Sequence, residues 1–454
     1  MYLSKVSQRF VEFYQNRGYT KTPGVQLVHP SVPMSFVMSA GFGDLETRLE
    51  NLRFHSQDRY FLIQKCFRHF DIEKVGSSDI HLSLFEMPGA FMFGVNHMVN
   101  AIQLMWEILT ESLGLPRKAL WVTYFGGGRL GQHRLPEDAI TRKTWLKLGL
   151  DPNHLLPLGI DSNFWLQGGG ISDEVHRKCG FNTEIFYDQG VNESCDSNCR
   201  PGCNCGRFVE IGNVLLIDQR FGVESGRLQP IKLPFSEAVL GSDRITMILE
   251  EKKSVFELET MTPLMDIVNR YISLNERQDH YSQTRKKILV DHVRAIYYLV
   301  KDGAPKAGKS GRRRIMRKLI RSTFTQKICL GIQGPVFSDL LKALTYGSTE
   351  REEALGIRAT VLEYFGEEDN KFQKTLNRGE RQLERWLSSN GHHTLTGPQI
   401  VALEKEFGVP HELTEQMLIS RRLPFAQKEF KTALAKWWSQ LDRQNLLDGK
   451  MISI

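Results

Sequence analysis

The chain has 454 residues, which is too long for a single core and suggests two or three domains. With 41% hydrophobic and 24% charged residues its composition is globular, and no apolar run reaches the roughly 18 to 20 residues that span a bilayer, so no membrane partner is expected. The formal net charge of +7 is modest but uneven, its excess gathered in one segment.

In chain order, MYLSKVSQRFVEFYQNRGY reads as an amphipathic helix. It lacks the uninterrupted apolar stretch of a secretory signal, and a cytoplasmic location is expected. YFLIQKCFRHF and HLSLFEMPGAFMFG are apolar, aromatic strands on either side of the polar DIEKVGSSD, the pattern of an antiparallel hairpin. NAIQLMWEILTESLGL has helical spacing, and ALWVTYFGGG reads as a buried strand that leaves into a turn. Between residues 161 and 260, strands such as TEIFYD and FVEIGNVLLID alternate with glycine-rich loops. From about 260 to Leu447 nearly everything has a helical period. The prediction is an α+β domain over 1–257, then a mostly helical domain over 258–454.

Two local features point to ligands. Four of the seven cysteines, Cys195, Cys199, Cys203 and Cys205, fall in CDSNCRPGCNCG, where proline and glycines turn the chain tightly enough for four thiolates to meet a structural Zn²⁺. The other reading is a flexible, reduced loop. The segment Lys301–Ser322 carries nine Lys/Arg and one acid around the apolar pattern Ile315, Met316, Leu319 and Ile320, a helix with one core face and one cationic face. Such density favours a polyanion, nucleic acid first, over an ordinary solvated surface.

Other residues signal more weakly. Arg68 follows one hairpin strand and Phe85 stands on the next, where a guanidinium and a ring can serve the phosphate and base of a nucleotide. Gly241 and Arg244 open the helical pattern of SEAVLGSDRITMILE, where an arginine and a helix N-terminus can hold phosphate. Alone, each is matched by a bland reading as core aromatic or exposed arginine.

Together and in this order they resemble the three motifs of a class II aminoacyl-tRNA synthetase, in RGYTKTPGVQLVHP, FRHFDIEKVGSSDIHLSLFE and VLGSDRI. More narrowly, QKCFRHFDIEKVG, CGFNTEIFYD, FVEIGN, DHVRAIYYLVKDG and EFGVPHELTEQM resemble the alanyl-tRNA synthetase family, its archaeal branch in particular. That resemblance implies an antiparallel sheet flanked by helices, forming an aminoacylation domain with a cysteine-rich insert at 195–205, followed by a helical tRNA-recognition domain. It runs to about residue 443 and stops where the family's editing and dimerisation domains would begin, so an editing-free monomer is expected.

The implied reaction is ATP-dependent activation of a small amino acid, alanine first, and transfer to the 3′ end of a tRNA or tRNA-like acceptor. Carried over residue by residue, Arg68 and Arg244 are catalytic. ATP is bound by Arg68, His81, Phe85, Glu86, Glu210 and Arg244, with Glu210 also a ligand of Mg²⁺. Trp165, Asn213, Glu237 and Val239 line the amino-acid pocket. Lys309, Gly311, Arg312, Arg313, Arg317, Arg321 and Glu412 face tRNA.

Some residues depart from the family pattern. Its ammonium-binding aspartate is Glu237 and a pocket glycine is Val239, both of which crowd the pocket, while a tryptophan becomes Gly212 and is expected to return volume. The asparagine associated with reading the acceptor G·U pair aligns with Gly311, and the matching aspartate is Glu412, which implies a changed base preference. Two other readings follow from these changes: a ligase that passes the activated amino acid to a small molecule or peptide, and a non-catalytic RNA-binding paralogue.

Overall fold

Runs of alternating apolar and polar residues become strands because one face of each can be buried while the backbone pairs sideways. The computed structural model describes residues 4–41, 58–94, 97–167, 176–203, 205–222, 225–272, 281–346, 351–389 and 394–447. These fall into two compact units, Met1–Thr262 and Pro263–Ile454, a division five residues after the predicted 257/258 boundary.

In the first unit the strands are β1 (Thr20–Lys21), β2 (Arg59–Phe67), β3 (Leu84–Phe93), β4 (Leu120–Phe125), β5 (Gly128–Leu130), β6 (His133–Leu135), β7 (Leu155–Leu158), β8 (Phe164–Leu166), β9 (His176–Asp188), β10 (Phe208–Gly222) and β11 (Leu228–Leu240). Nine of them join one sheet in the order β1-β2-β3-β11-β10-β9-β4-β7, with β8 paired to β9. The predicted hairpin is present as β2 and β3, antiparallel, with Lys65 opposite Glu86.

The sheet is mixed, however, because β1–β2 and β4–β7 run parallel. Parallel neighbours need a crossover; between β4 and β7 the chain supplies one through the helix Ala139–Lys147. The long strand β11 was not anticipated, since Pro230 and Pro234 break the usual strand signal. Pro230 lies opposite Gln219, beside an irregularity in β10 that relaxes the ladder where a proline cannot donate.

The helix His97–Glu107 packs on one face of β10 and β11, burying Ala101, Ile102, Met105 and Trp106. The opposite face carries Phe91, Phe93, Leu215, Ile217 and Phe235, with Trp165 and Val239 against them. Gly180 is required here, as a Cβ on it would lie 1.7 Å from the Leu216 carbonyl oxygen. Its bare backbone lets β10 close on β9, while Trp165 of β8 pairs opposite Gly180.

The second unit is helical, with helices at Ser282–Lys301, Gly311–Cys329, Val336–Thr345, Arg351–Ser389, His411–Ser420 and Gln427–Leu447 among others. Phe324 is central to it, with the rings of Phe337, Phe365 and Phe372 centred 5.7, 5.7 and 6.1 Å away. The helical expectation across 273–280 lies outside the described residues.

Candidate active site

Strand pairing alone places the chemistry. Because β9, β10, β11 and β3 are in register, Glu184, Asn213, Val239 and Gly89 form one row across the sheet, and Asn182, Leu215, Glu237 and Phe91 form the next. These rows floor a cavity of about 440 Å³, the volume of a small-molecule site. Arg68, His81, Phe85, Glu86, Trp165, Glu210, Asn213, Glu237, Val239 and Arg244 all line it, so residues spread over 177 positions of sequence meet in one place.

At one end lie the cationic and aromatic groups. Arg68 donates from Nε to the Met38 carbonyl at 3.2 Å, and its guanidinium carbon stands 5.0 Å over the Phe85 ring. Arg244 enters from the first turn of the helix Ser242–Leu249, whose N-cap is Gly241. It donates to the Ile80 carbonyl at 3.2 Å, the Glu210 carbonyl at 2.8 Å and Glu210 Oε2 at 3.2 Å. Backbone anchors of this kind hold a guanidinium in one orientation before an anion arrives.

His81 shares a 2.7 Å hydrogen bond with Ser78 Oγ, and burial together with the Arg244 charge pushes its imidazole down to about 4. It is neutral at physiological pH and adds no charge to the site. Glu86 is tied to the first helix through the Ser7 hydroxyl, and Ser242 Oγ donates to its carbonyl at 2.9 Å.

The other end is polar and deep. Glu237 is only 4% exposed, and its Oε1 accepts from Ser39 Oγ at 3.0 Å and from the Gly41 N–H at 2.9 Å. Val239 stands one row away and narrows the same space. Gly212 does not return volume to it. A Cβ there would meet Leu240 Cδ2 at 3.1 Å and Met105 Sδ at 3.4 Å, on the helix-backed face, so the expected compensation is corrected by the strand's alternation.

Two residues of this end escaped the sequence reading, Asn182 and Glu184. Asn182 Nδ2 donates to Glu184 Oε1 at 3.4 Å, while the side-chain oxygens of Asn182 and Asn213 are buried with no hydrogen-bond partner among the described residues. Burial and the neighbouring Glu210 push the Glu184 carboxyl up to about 8. The signal was available in FNTEIFYD, where Asn182 and Glu184 stand two apart, on one face of a strand otherwise rich in apolar residues.

An arginine just past β2 over an aromatic ring, a second arginine on the helix after the last strand, and a floor of antiparallel strands thus meet in one cavity. The profile of the tRNA synthetases class II (A) matches residues 5–446. The chain belongs to this family. An alanine–tRNA ligase of Acetivibrio thermocellus is 26% identical over 435 residues, 94% of this chain and 47% of that protein. Alanine–tRNA ligase 1 of Lachnoclostridium phytofermentans is 27% identical over 95% of this chain and 48% of its own length, and the Nitrosomonas europaea alanine–tRNA ligase is 29% identical with the same coverages. The chain thus spans about half the length of the curated relatives it matches.

In this class II synthetase chain the cysteine cluster sits on the loop joining β9 to β10. The four Sγ atoms of Cys195, Cys199, Cys203 and Cys205 lie within 4.8 Å of one another, with 195 and 203, and 199 and 205, each 3.3 Å apart. Four thiolates held tetrahedrally about 2.3 Å from a common centre stand about 3.8 Å apart, between these two distances, so the donor set is of a kind that fits Zn²⁺. The base of the loop is clamped by Arg207, whose Nε and Nη2 donate to the two oxygens of Asp188, each at 2.7 Å.

In the helical unit, Gly311 opens the helix Gly311–Cys329 with a φ of +51°, and Lys309 precedes it. Arg313 is exposed and Arg312 and Arg317 are half-buried. Arg321 is different, because its Nε donates to the buried Glu368 at 2.7 Å and its guanidinium lies 5.3 Å from the centre of the Phe372 ring. Glu412, on the helix His411–Ser420, sits 3.5 Å from His411 Nδ1. No helix among the described residues is long and apolar enough to cross a membrane.

Proposed function

We propose that the protein activates a small amino acid with ATP and transfers it to the 3′ end of a tRNA or tRNA-like acceptor, working in the cytoplasm where these substrates meet. The observation that carries this reading is the single cavity in which Arg68, Phe85, His81 and Arg244 face a polar floor of Asn213 and its neighbours. In activation, a carboxylate oxygen of the amino acid attacks the α-phosphorus of ATP. The bond to the β-phosphate oxygen breaks, and pyrophosphate leaves with the electron pair. A terminal hydroxyl of the acceptor then attacks the adenylate carbonyl, and AMP departs.

Arg68 would hold the α-phosphate and Phe85 would stack on adenine. Arg244, already oriented by two carbonyls, would meet the distal phosphates. Such positioning and fixed charge supply most of what phosphoryl and acyl transfer demand. Mg²⁺, when bound, neutralises triphosphate charge, and Glu210, paired with Arg244 at 3.2 Å in a part-exposed position, is the carboxylate best placed to hold it.

The buried Glu237 and the branched Val239 support a small substrate, alanine or glycine before serine. The cysteine loop would carry one structural Zn²⁺. Lys309, Arg312, Arg313 and Arg317 would contact acceptor phosphates, with Gly311 and Glu412 altering the choice of base pair.

ATP–pyrophosphate exchange across the twenty amino acids, followed by charging of total tRNA, tests the reading. Exchange with a small amino acid and RNA-dependent product are expected. Exchange without RNA acylation would favour a small-molecule ligase, and no exchange with any amino acid would refute the activity.

A further inference from the structure

The cavity holds two carboxylate arrangements at its polar end, and they differ in what already engages them. Glu237 stands where the resemblance expects the ammonium partner. Its Oε1 accepts two hydrogen bonds from the Ser39–Gly41 segment, and a Cβ on Gly41 would touch Oε2 at 2.5 Å, so that segment covers both oxygens. Leu215 stands between it and Asn182 in the same row, which separates Glu237 from β9 by two strand spacings, about 10 Å.

Across that gap the situation is reversed. Glu184 and Asn213 are direct partners on β9 and β10, with Asn182 two residues along on the same face. The oxygens Asn182 Oδ1 and Asn213 Oδ1 are buried without partners among the described residues, and Asn182 is 5% exposed. Buried acceptors left unpaired are costly, and a donor ligand removes that cost. Two such oxygens and a carboxyl around one space are a site for a group with several N–H donors.

We propose that Asn182, Glu184 and Asn213 together, and not Glu237, receive the α-ammonium of the amino-acid substrate. Glu237 is instead a positioning residue that fixes the Ser39–Gly41 segment over the cavity. The assignment rests on the amino-acid-activating reading above and names the residues that determine its specificity: an α-amino group is required, and a 2-hydroxy acid lacks the charge and two of the three donors.

The test is amino-acid KM in ATP–pyrophosphate exchange at saturating ATP and one fixed pH, for wild type, Asn182→Ala, Glu184→Gln and Glu237→Gln. Asn182→Ala and Glu184→Gln are expected to raise the amino-acid KM about tenfold or more, with the ATP KM changed less than about twofold, which shows that the rest of the cavity is intact. An unchanged amino-acid KM in Glu184→Gln overturns the assignment, and so does a larger KM increase from Glu237→Gln than from Glu184→Gln. If wild type exchanges no amino acid, the activity and this assignment fall together; exchange whose amino-acid KM neither Asn182→Ala nor Glu184→Gln moves removes the assignment alone.

Discussion

Replacing Arg321 by alanine separates an RNA-facing arginine from one that holds the helical unit together. Its partner Glu368 is 1% exposed, and the two side chains retain 23% and 2% of their surface, so water does not replace the lost guanidinium. Removing one member of such a pair strands the other charge, at about 3 to 5 kcal/mol. Loss of the packing of Arg321 over Phe372, whose ring centre is 5.3 Å away, adds to this. At the lower figure, the unfolding midpoint of a unit of this size should fall by about 6 to 12 °C. The assay is thermal or urea unfolding of Arg321→Ala beside Arg314→Ala, an exposed arginine of the same helix expected to stay within about 0.5 kcal/mol of wild type. Adding Glu368→Gln to Arg321→Ala should recover part of the loss, since the stranded charge is gone. Wild-type stability in Arg321→Ala, with weakened RNA binding, would refute the structural role and return Arg321 to the RNA face.

Arg68→Ala should cost about 2 to 4 kcal/mol of transition-state stabilisation, read as a fall in kcat/KM for pyrophosphate exchange, and unchanged exchange would end its assignment to the α-phosphate. Protein purified without chelator should carry about one equivalent of zinc by metal analysis, lost when Cys199 and Cys205 become serine. Glu404 and His411 share a 2.9 Å hydrogen bond in the helical unit. Burial pushes the Glu404 carboxyl up, but hydrogen bonds from His411 and Lys405 outweigh it and hold the group at about 2, while Glu404, Glu412 and Glu415 overcome burial to raise His411. The carboxylate's contribution is lost as pH falls below 4.5, and the imidazolium's is lost as pH rises above 6.5, so stability from the pair peaks between these values. His411→Gln should flatten the alkaline decline in unfolding free energy, and an unchanged pH profile would contradict the pairing.

Local pattern was enough to read much of this protein. The apolar, aromatic runs of YFLIQKCF and LFEMPGAF specified β2 and β3 and their hairpin, and the 3.6 period beyond residue 260 specified a helical unit. These two signals survive because strand and helix patterns depend on neighbours a few residues apart. Strand β11 was hidden because Pro230 and Pro234 are local breakers that only a sheet with an irregular partner strand tolerates. Whether Arg321 faces RNA or Glu368, and whether Gly212 opens the cavity or faces Met105, depended on which helix or which side of the sheet lay opposite. Glu237 and Glu184 are the sharpest case. As residues they are the same chemistry, and the sequence favoured the first; register put the first under the Ser39–Gly41 segment and the second beside two unpaired amide oxygens. A side chain's type is written locally, but which of its lone pairs remain available is set by the segments the fold brings over it.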